Sequence, residues 1–303
     1  MDEYEKDRGF MKKDKNTAEN KPKKRTALKV ILVLLLVVFG GVFAYSLYMV
    51  IDYYGNAHEE QGVIDDLKEY AASVSAEEAA AGLDITLPEG EGSGSGAVKG
   101  EGGEEGGTGT SGKPFVSQYA AFHDINPDYV GWLYLEGTKI DYPVMYRPDD
   151  PEYYSRRTIY GTDSRGGTPF VGPGASIDDD CFYIYGHNMS SGLFFGTLNY
   201  YMDEEFGLSH PTFTFETLTE RRVYEIFAVH KTKLIFPGWG FVYYGYGGTL
   251  SEKEFDYFTS TLINESLYDF GVTPEYGDQL IVLSTCSYHV DTGRFAVIAR
   301  RIE

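Results

Sequence analysis

Leu280-Ile281-Val282-Leu283-Ser284-Thr285-Cys286 is an apolar run of strand length that ends on a thiol, and Gly293-Arg294-Phe295-Ala296-Val297-Ile298-Ala299 follows a short gap later. Paired as neighbouring antiparallel strands, the two runs place Cys286 and Arg294 at the same end of a sheet. The surrounding composition agrees with a sheet-rich body. With 26 Tyr, 19 Phe and 36 Gly in 303 residues, packed strands joined by flexible pieces are expected rather than a helical bundle. The length allows one sizeable domain with appendages or two small ones.

Upstream of this pair the chain supplies further strands. Val130-Gly131-Trp132-Leu133-Tyr134-Leu135 and Ile140-Asp141-Tyr142-Pro143-Val144-Met145 flank a Glu136-Gly137-Thr138 turn. The Gly-, Pro-, Tyr- and Arg-rich stretch 147–176 reads as loop, with Thr168-Pro169-Phe170-Val171 as a short strand inside it. Cys181-Phe182-Tyr183-Ile184-Tyr185 reads as a buried strand that halts at Gly186 and presents His187-Asn188-Met189. Thr212 to Glu216 alternates cleanly and pairs with Val223 to Val229. Helical spacing is expected over Phe115–Phe122. A second helix opens on a capping box, Ser251 with Glu254, carries Phe255, Phe258, Leu262, Ile263 and Leu267 on one face, and stops by Gly271 and Pro274.

The N-terminal third is of another kind. Residues 1–29 hold ten Lys/Arg against six Asp/Glu, leaving sixteen against forty, a net −24, for the rest of a chain that totals −20. So acidic a body argues against a nucleic-acid partner, which needs clustered positive charge. Val30 to Val50 contains no charged residue. As a helix its 21 residues rise about 30 Å, enough to cross a bilayer. Lys21, Lys23, Lys24, Arg25 and Lys29 precede it, so the positive-inside rule predicts a cytoplasmic tail over 1–29, a transmembrane helix over 30–50 and everything beyond outside. A cleaved signal peptide is the competing reading, disfavoured by the length of the run and the lack of a small-x-small cleavage site. A juxtamembrane stalk is expected over 51–88, with a narrow sticky face at Val63, Leu67 and Tyr70. Residues 89–113 contain eleven glycines and no aromatic residue, the composition of a flexible linker. The folded domain is then 114–303.

Two cysteines, Cys181 and Cys286, make no multi-disulfide framework; a bridge between them would leave both structural. A catalytic cysteine acts as thiolate, which nearby positive charge favours. Of six histidines, His187 stands directly after a strand and a glycine, at a sheet edge as Cys286 does. His289 lies close to Cys286 in sequence and is a candidate only for touching substrate. A site of Cys286, His187 and Arg294 competes with the bland reading of a packed cysteine, a turn histidine and an ion-paired arginine. Cysteines 105 residues apart with no second ligand pair do not resemble a zinc site, and Asp178-Asp179-Asp180 lacks the alternation of a calcium loop. No metal and no cofactor is expected.

Tyr185-Gly186-His187-Asn188-Met189, Leu283-Ser284-Thr285-Cys286 and Arg294-Phe295, in that order behind a membrane anchor, resemble the sortase family, and the long capped helix before the last strands is most like class B. Asp128 to Leu133 and Asp141-Tyr142-Pro143-Val144 extend the resemblance over roughly 115–303. It implies a mainly β fold: a closed barrel of about eight strands with added helices, in a single-pass plasma-membrane protein of a Gram-positive-type bacterium with its catalytic domain extracellular. By motif it implies Cys286 as nucleophile, His187 as general acid/base and Arg294 as oxyanion stabiliser, with Ser284, Thr285 and Asn188 assigned to substrate contact. The implied partners are surface proteins bearing a C-terminal sorting signal, and an amine acceptor from peptidoglycan precursor or a pilin lysine. Wall anchoring is the first reading of the function and pilin polymerisation the second. A tethered, non-catalytic adhesin or structural protein is the alternative of another class. The glycine-rich run Gly166 to Gly174 departs from the family's pattern.

Overall fold

The computed structural model of the chain describes residues 21–73, 116–235 and 240–303. The expected linker at 89–113 lies outside the described residues, as do the first twenty residues of the tail. The chain divides into two units, Met1–Asn56 and Ala57–Glu303. In the first, the described residues belong to helix α1 (Lys21–Ser73), and its apolar side chains from Leu28 to Val50 are exposed. Among the described residues this is the one helix long and apolar enough to cross a membrane, with a mean hydropathy of 2.7 over its best window.

The second unit is built on eight strands: β1 (Tyr129–Tyr134), β2 (Asp141–Met145), β3 (Phe170–Val171), β4 (Cys181–Tyr185), β5 (Thr212–Thr217), β6 (Arg221–Lys233), β7 (Leu280–Cys286) and β8 (Gly293–Arg301). They close into a barrel in the order β1-β2-β3-β4-β7-β8-β6-β5. The expected closed barrel of about eight strands is thus the fold observed. Closure leaves no free sheet edge. All neighbours are antiparallel except β2 with β3 and β4 with β7. The parallel β4–β7 pair sets the end of β4 beside the end of β7.

Strand alternation sorts side chains into two cores. Phe182 and Ile184 of β4, Ile281 and Leu283 of β7, and Phe295 and Val297 of β8 belong to the larger one. Phe182 meets Phe215 of the non-adjacent β5 at 6.0 Å between ring centroids, so this face lines the barrel interior. The alternate residues Cys181, Tyr183, Leu280, Val282, Ala296 and Ile298 face outward, under Phe255, Phe258 and Leu262 of the capped helix. By the same alternation Cys286 and Arg294 fall on this outer face.

That helix runs Glu252–Asn264, with both halves of the Ser251/Glu254 capping box formed. It ends earlier than the apolar spacing predicts. Leu267 donates its backbone N–H to Val229, and the Ser266 hydroxyl accepts from the Val229 N–H; bonds to β6 replace a further helical turn. The expected helix at 115–122 is also reduced. Its described residues form turns up to a short helix α2 (Phe122–Ile125), because Ser117 is drawn onto the Leu218 carbonyl and the Glu216 carboxylate. Helix α3 (Glu204–Ser209) lies between the 3-10 segment Phe195–Met202 and β5; the capped helix is α4. Residues 57–73 of α1, expected as stalk, pack on the barrel with Ile64, Leu67 and Ala71 buried, a stripe at helical spacing. Lys68 adds an ion pair with Asp141 at 2.6 Å.

Candidate active site

Cys286 and Arg294 are direct partners in the β7–β8 ladder. Directly opposed residues point to the same face of a sheet, with Cβ atoms about 5 Å apart. On β4, Tyr185 is level with Ser284 of β7, and the Gly186 N–H continues the ladder to the Ser284 carbonyl. His187 follows directly and lines the same cleft as Cys286. The three residues that sequence reasoning selected therefore line one cleft of about 340 Å³, together with Ser155, Tyr185, Tyr243, Tyr244, Leu234, Ser284 and Thr285.

His187 Nε2 lies 2.8 Å from the Ser155 carbonyl. A carbonyl only accepts, so Nε2 carries the hydrogen, and Nδ1 is left to take up or release a proton. Burial lowers the affinity of the ring for a proton; the Ser155 carbonyl works against that, Arg156 adds to it, and the Glu60 carboxylate opposes it. Arg294 donates to the Gly293 carbonyl at 3.0 Å, and its charge reaches Tyr185, whose phenol burial nonetheless pushes up to about 12.

The two cysteines separate cleanly. Both are free, Cys181 buried and Cys286 partly exposed. Cys181 pairs with Leu280 at the far end of β7, some six residues or about 20 Å from Cys286, which excludes the bridge between them. Burial pushes the Cys181 thiol up to about 12, and this residue is packing.

Ser284 and Thr285 line the cleft, but their hydroxyls are engaged inward: Ser284 with the Tyr243 hydroxyl at 2.7 Å, Thr285 donating to the Gly186 carbonyl at 2.6 Å. Asn188 is not among the cleft residues. Its amide donates to the Cys286 carbonyl at 2.8 Å and accepts from Asn199 at 2.9 Å, which ties the segment after β4 to the Cys286 backbone. Ser155, Tyr243 and Tyr244 were not foreseen. Ser155 acts through its carbonyl, which every residue type has, and the tyrosines sit in an irregular segment without periodicity. The glycines at 166–174 have a local cause. Gly167, at φ +63°, lies so close to the Tyr154 and Ser155 carbonyls that a Cβ would clash with both.

No family model matches the chain. It is 32% identical over 169 residues to sortase B of Listeria monocytogenes, across 55% of this chain and 66% of that protein. The crystal structure of sortase B from Bacillus anthracis in complex with AAEK1 superposes with a TM-score of 0.53 at 32% identity, across 61% of this chain and 84% of the other. The chain belongs to the class B sortases. That family consists of cysteine transpeptidases. A Staphylococcus aureus sortase B–substrate complex, at 23% identity and a TM-score of 0.55 over 61% of this chain and 85% of its own, shares the sortase fold.

Proposed function

We propose that this sortase cleaves a threonine-containing C-terminal sorting signal through a thioester on Cys286 and transfers the protein to an amine of the cell wall. The observation that carries the reading is the ladder pairing of Cys286 with Arg294 beside His187 in one cleft. The Cys286 thiolate adds to the threonine carbonyl, and the guanidinium of Arg294, charged at any working pH, stabilises the oxygen that becomes negative. The C–N bond then breaks. His187 gives its proton to the departing amine, and the acyl group remains as a thioester. An incoming amine attacks that carbonyl, loses its proton to His187 and expels the thiolate, which restores the starting state. Ser284 and Thr285 shape the wall against which the peptide lies, and Asn188 holds the Cys286 backbone.

The apolar run at 30–50 serves as the anchor, with the basic tail cytoplasmic and the barrel outside. Surface proteins with sorting signals are the acyl donors and peptidoglycan precursor supplies the acceptor amine. The test is the full chain in detergent with a fluorogenic threonine-containing peptide and a diamine. Cleavage and transfer are expected, both abolished in Cys286→Ala and His187→Ala. A fully active Cys286→Ala chain refutes the reading.

A further inference from the structure

Glu60, on the part of α1 that packs against the barrel, is buried at 8% exposure. Its neighbours along that contact are apolar, Val63, Ile64 and Leu67, and a carboxylate is a costly group to put there. One oxygen, Oε1, accepts from the Ser164 hydroxyl at 3.0 Å and from the Gly166 N–H at 2.6 Å. The other, Oε2, has no hydrogen-bond partner among the described residues. Apolar docking alone asks for no charge at this position.

What Glu60 holds leads to the active site. The Ser164 hydroxyl that it binds also accepts from the Gly167 N–H at 3.0 Å. Ser164 in turn donates its own N–H to the Arg156 carbonyl at 2.9 Å, and Thr168 donates to the Tyr154 carbonyl at 2.9 Å. The carbonyl between those two, that of Ser155, accepts from His187. Gly167 packs directly on it. The loop gripped by Glu60 thus fixes the carbonyls on both sides of the one that orients the histidine.

We propose that Glu60 is a positioning residue for His187, acting through Ser164, Gly166 and the Ser155 carbonyl, so that the segment following the membrane anchor sets the competence of the active site. The assignment rests on His187 being the proton-transfer group, as read above. The negative charge of Glu60 also favours the protonated ring.

The test uses the full chain in detergent micelles, with kcat and KM for the threonine peptide and the NMR signal of the His187 Nε2 proton. Glu60→Ala is expected to lower kcat roughly tenfold, a part of the roughly 100-fold that a misplaced catalytic group can cost, with KM within about twofold and the Nε2 proton signal lost. Glu60→Gln keeps an acceptor oxygen, so it restores most of kcat and the signal while the limb of the pH profile that reports His187 moves to lower pH. Lys68→Ala, which loosens the same helix elsewhere, leaves kcat unchanged. A wild-type kcat and signal in Glu60→Ala, or equal loss of kcat in Lys68→Ala, overturns the proposal. If Glu60→Ala does not fold, Ser164→Ala decides: a fall in kcat of about threefold at constant KM supports it, and an unchanged kcat overturns it. An active His187→Ala chain refutes the catalytic role of the histidine, whereas the NMR signal still reports whether Glu60 orients the ring.

Discussion

Cys286 and Cys181 have the same chemistry and opposite fates because of where the β4–β7 register puts them. One ends its strand beside a guanidinium, the other starts its strand under α4. The oxyanion role proposed for Arg294 uses a planar donor fork as well as charge, so Arg294→Lys is expected to lower kcat/KM by about 100-fold, the scale of a lost oxyanion donor, measured with the fluorogenic peptide. A second consequence is a pH dependence of stability. Burial lowers the proton affinity of His187 and of His230. His230 lies against Phe241 and Tyr243 with the Glu265 carboxylate 3.8 Å from Nδ1. Both folded pKa values lie below the ordinary 6.5, so their contribution is complete above that pH and lost as pH falls toward the lowered values. Thermal melts should show Tm dropping below pH 6.5, and His230→Phe should flatten the drop. The juxtaposition of Cys286 and Arg294 was legible in the sequence because strand period and the β7–β8 register are local facts, and that of His187 because it directly follows the end of β4. Asn188 was not, since a side chain that serves a neighbouring backbone carries no mark distinguishing it from one that serves a substrate.

At the scale of elements, the strands were legible wherever apolar alternation was bounded by turn residues, and the lengths of helices were not. α4 stops at Asn264 because the next residues bond to Val229, a tertiary preference that no spacing announces. Its start was legible in the capping box. Ser251→Ala is expected to cost about 1 kcal/mol in denaturant melts while leaving kcat intact, because the cap lies away from the cleft. Gly167→Ala strikes the opposite balance. The substitution must leave the φ of +63° or push on the Tyr154 and Ser155 carbonyls, so a loss of about 1–3 kcal/mol is expected together with reduced turnover.

For the whole molecule, the barrel's function depends on a segment whose spacing announced only a narrow sticky face. Val63, Leu67 and Tyr70 marked the right stretch, but Ile64 and Ala71 complete the stripe and Glu60 reaches the loop behind His187. Composition reads residues 51–88 as polar stalk because, over the described part 57–73, most side chains face water and the contact surface is a minority of them. Leu67→Ala, at a position 1% exposed, should cost about 2–4 kcal/mol of stability, measured by chemical denaturation. The central claim is a covalent acyl transfer at one thiol. Intact-protein and peptide mass spectrometry of the full chain, quenched in acid during turnover of a threonine-containing sorting peptide, tests it most directly. The expected result is an adduct of the N-terminal peptide fragment on Cys286, labile to hydroxylamine and absent from Cys286→Ala; turnover with no adduct on Cys286, or with the acyl group on another residue, would contradict it.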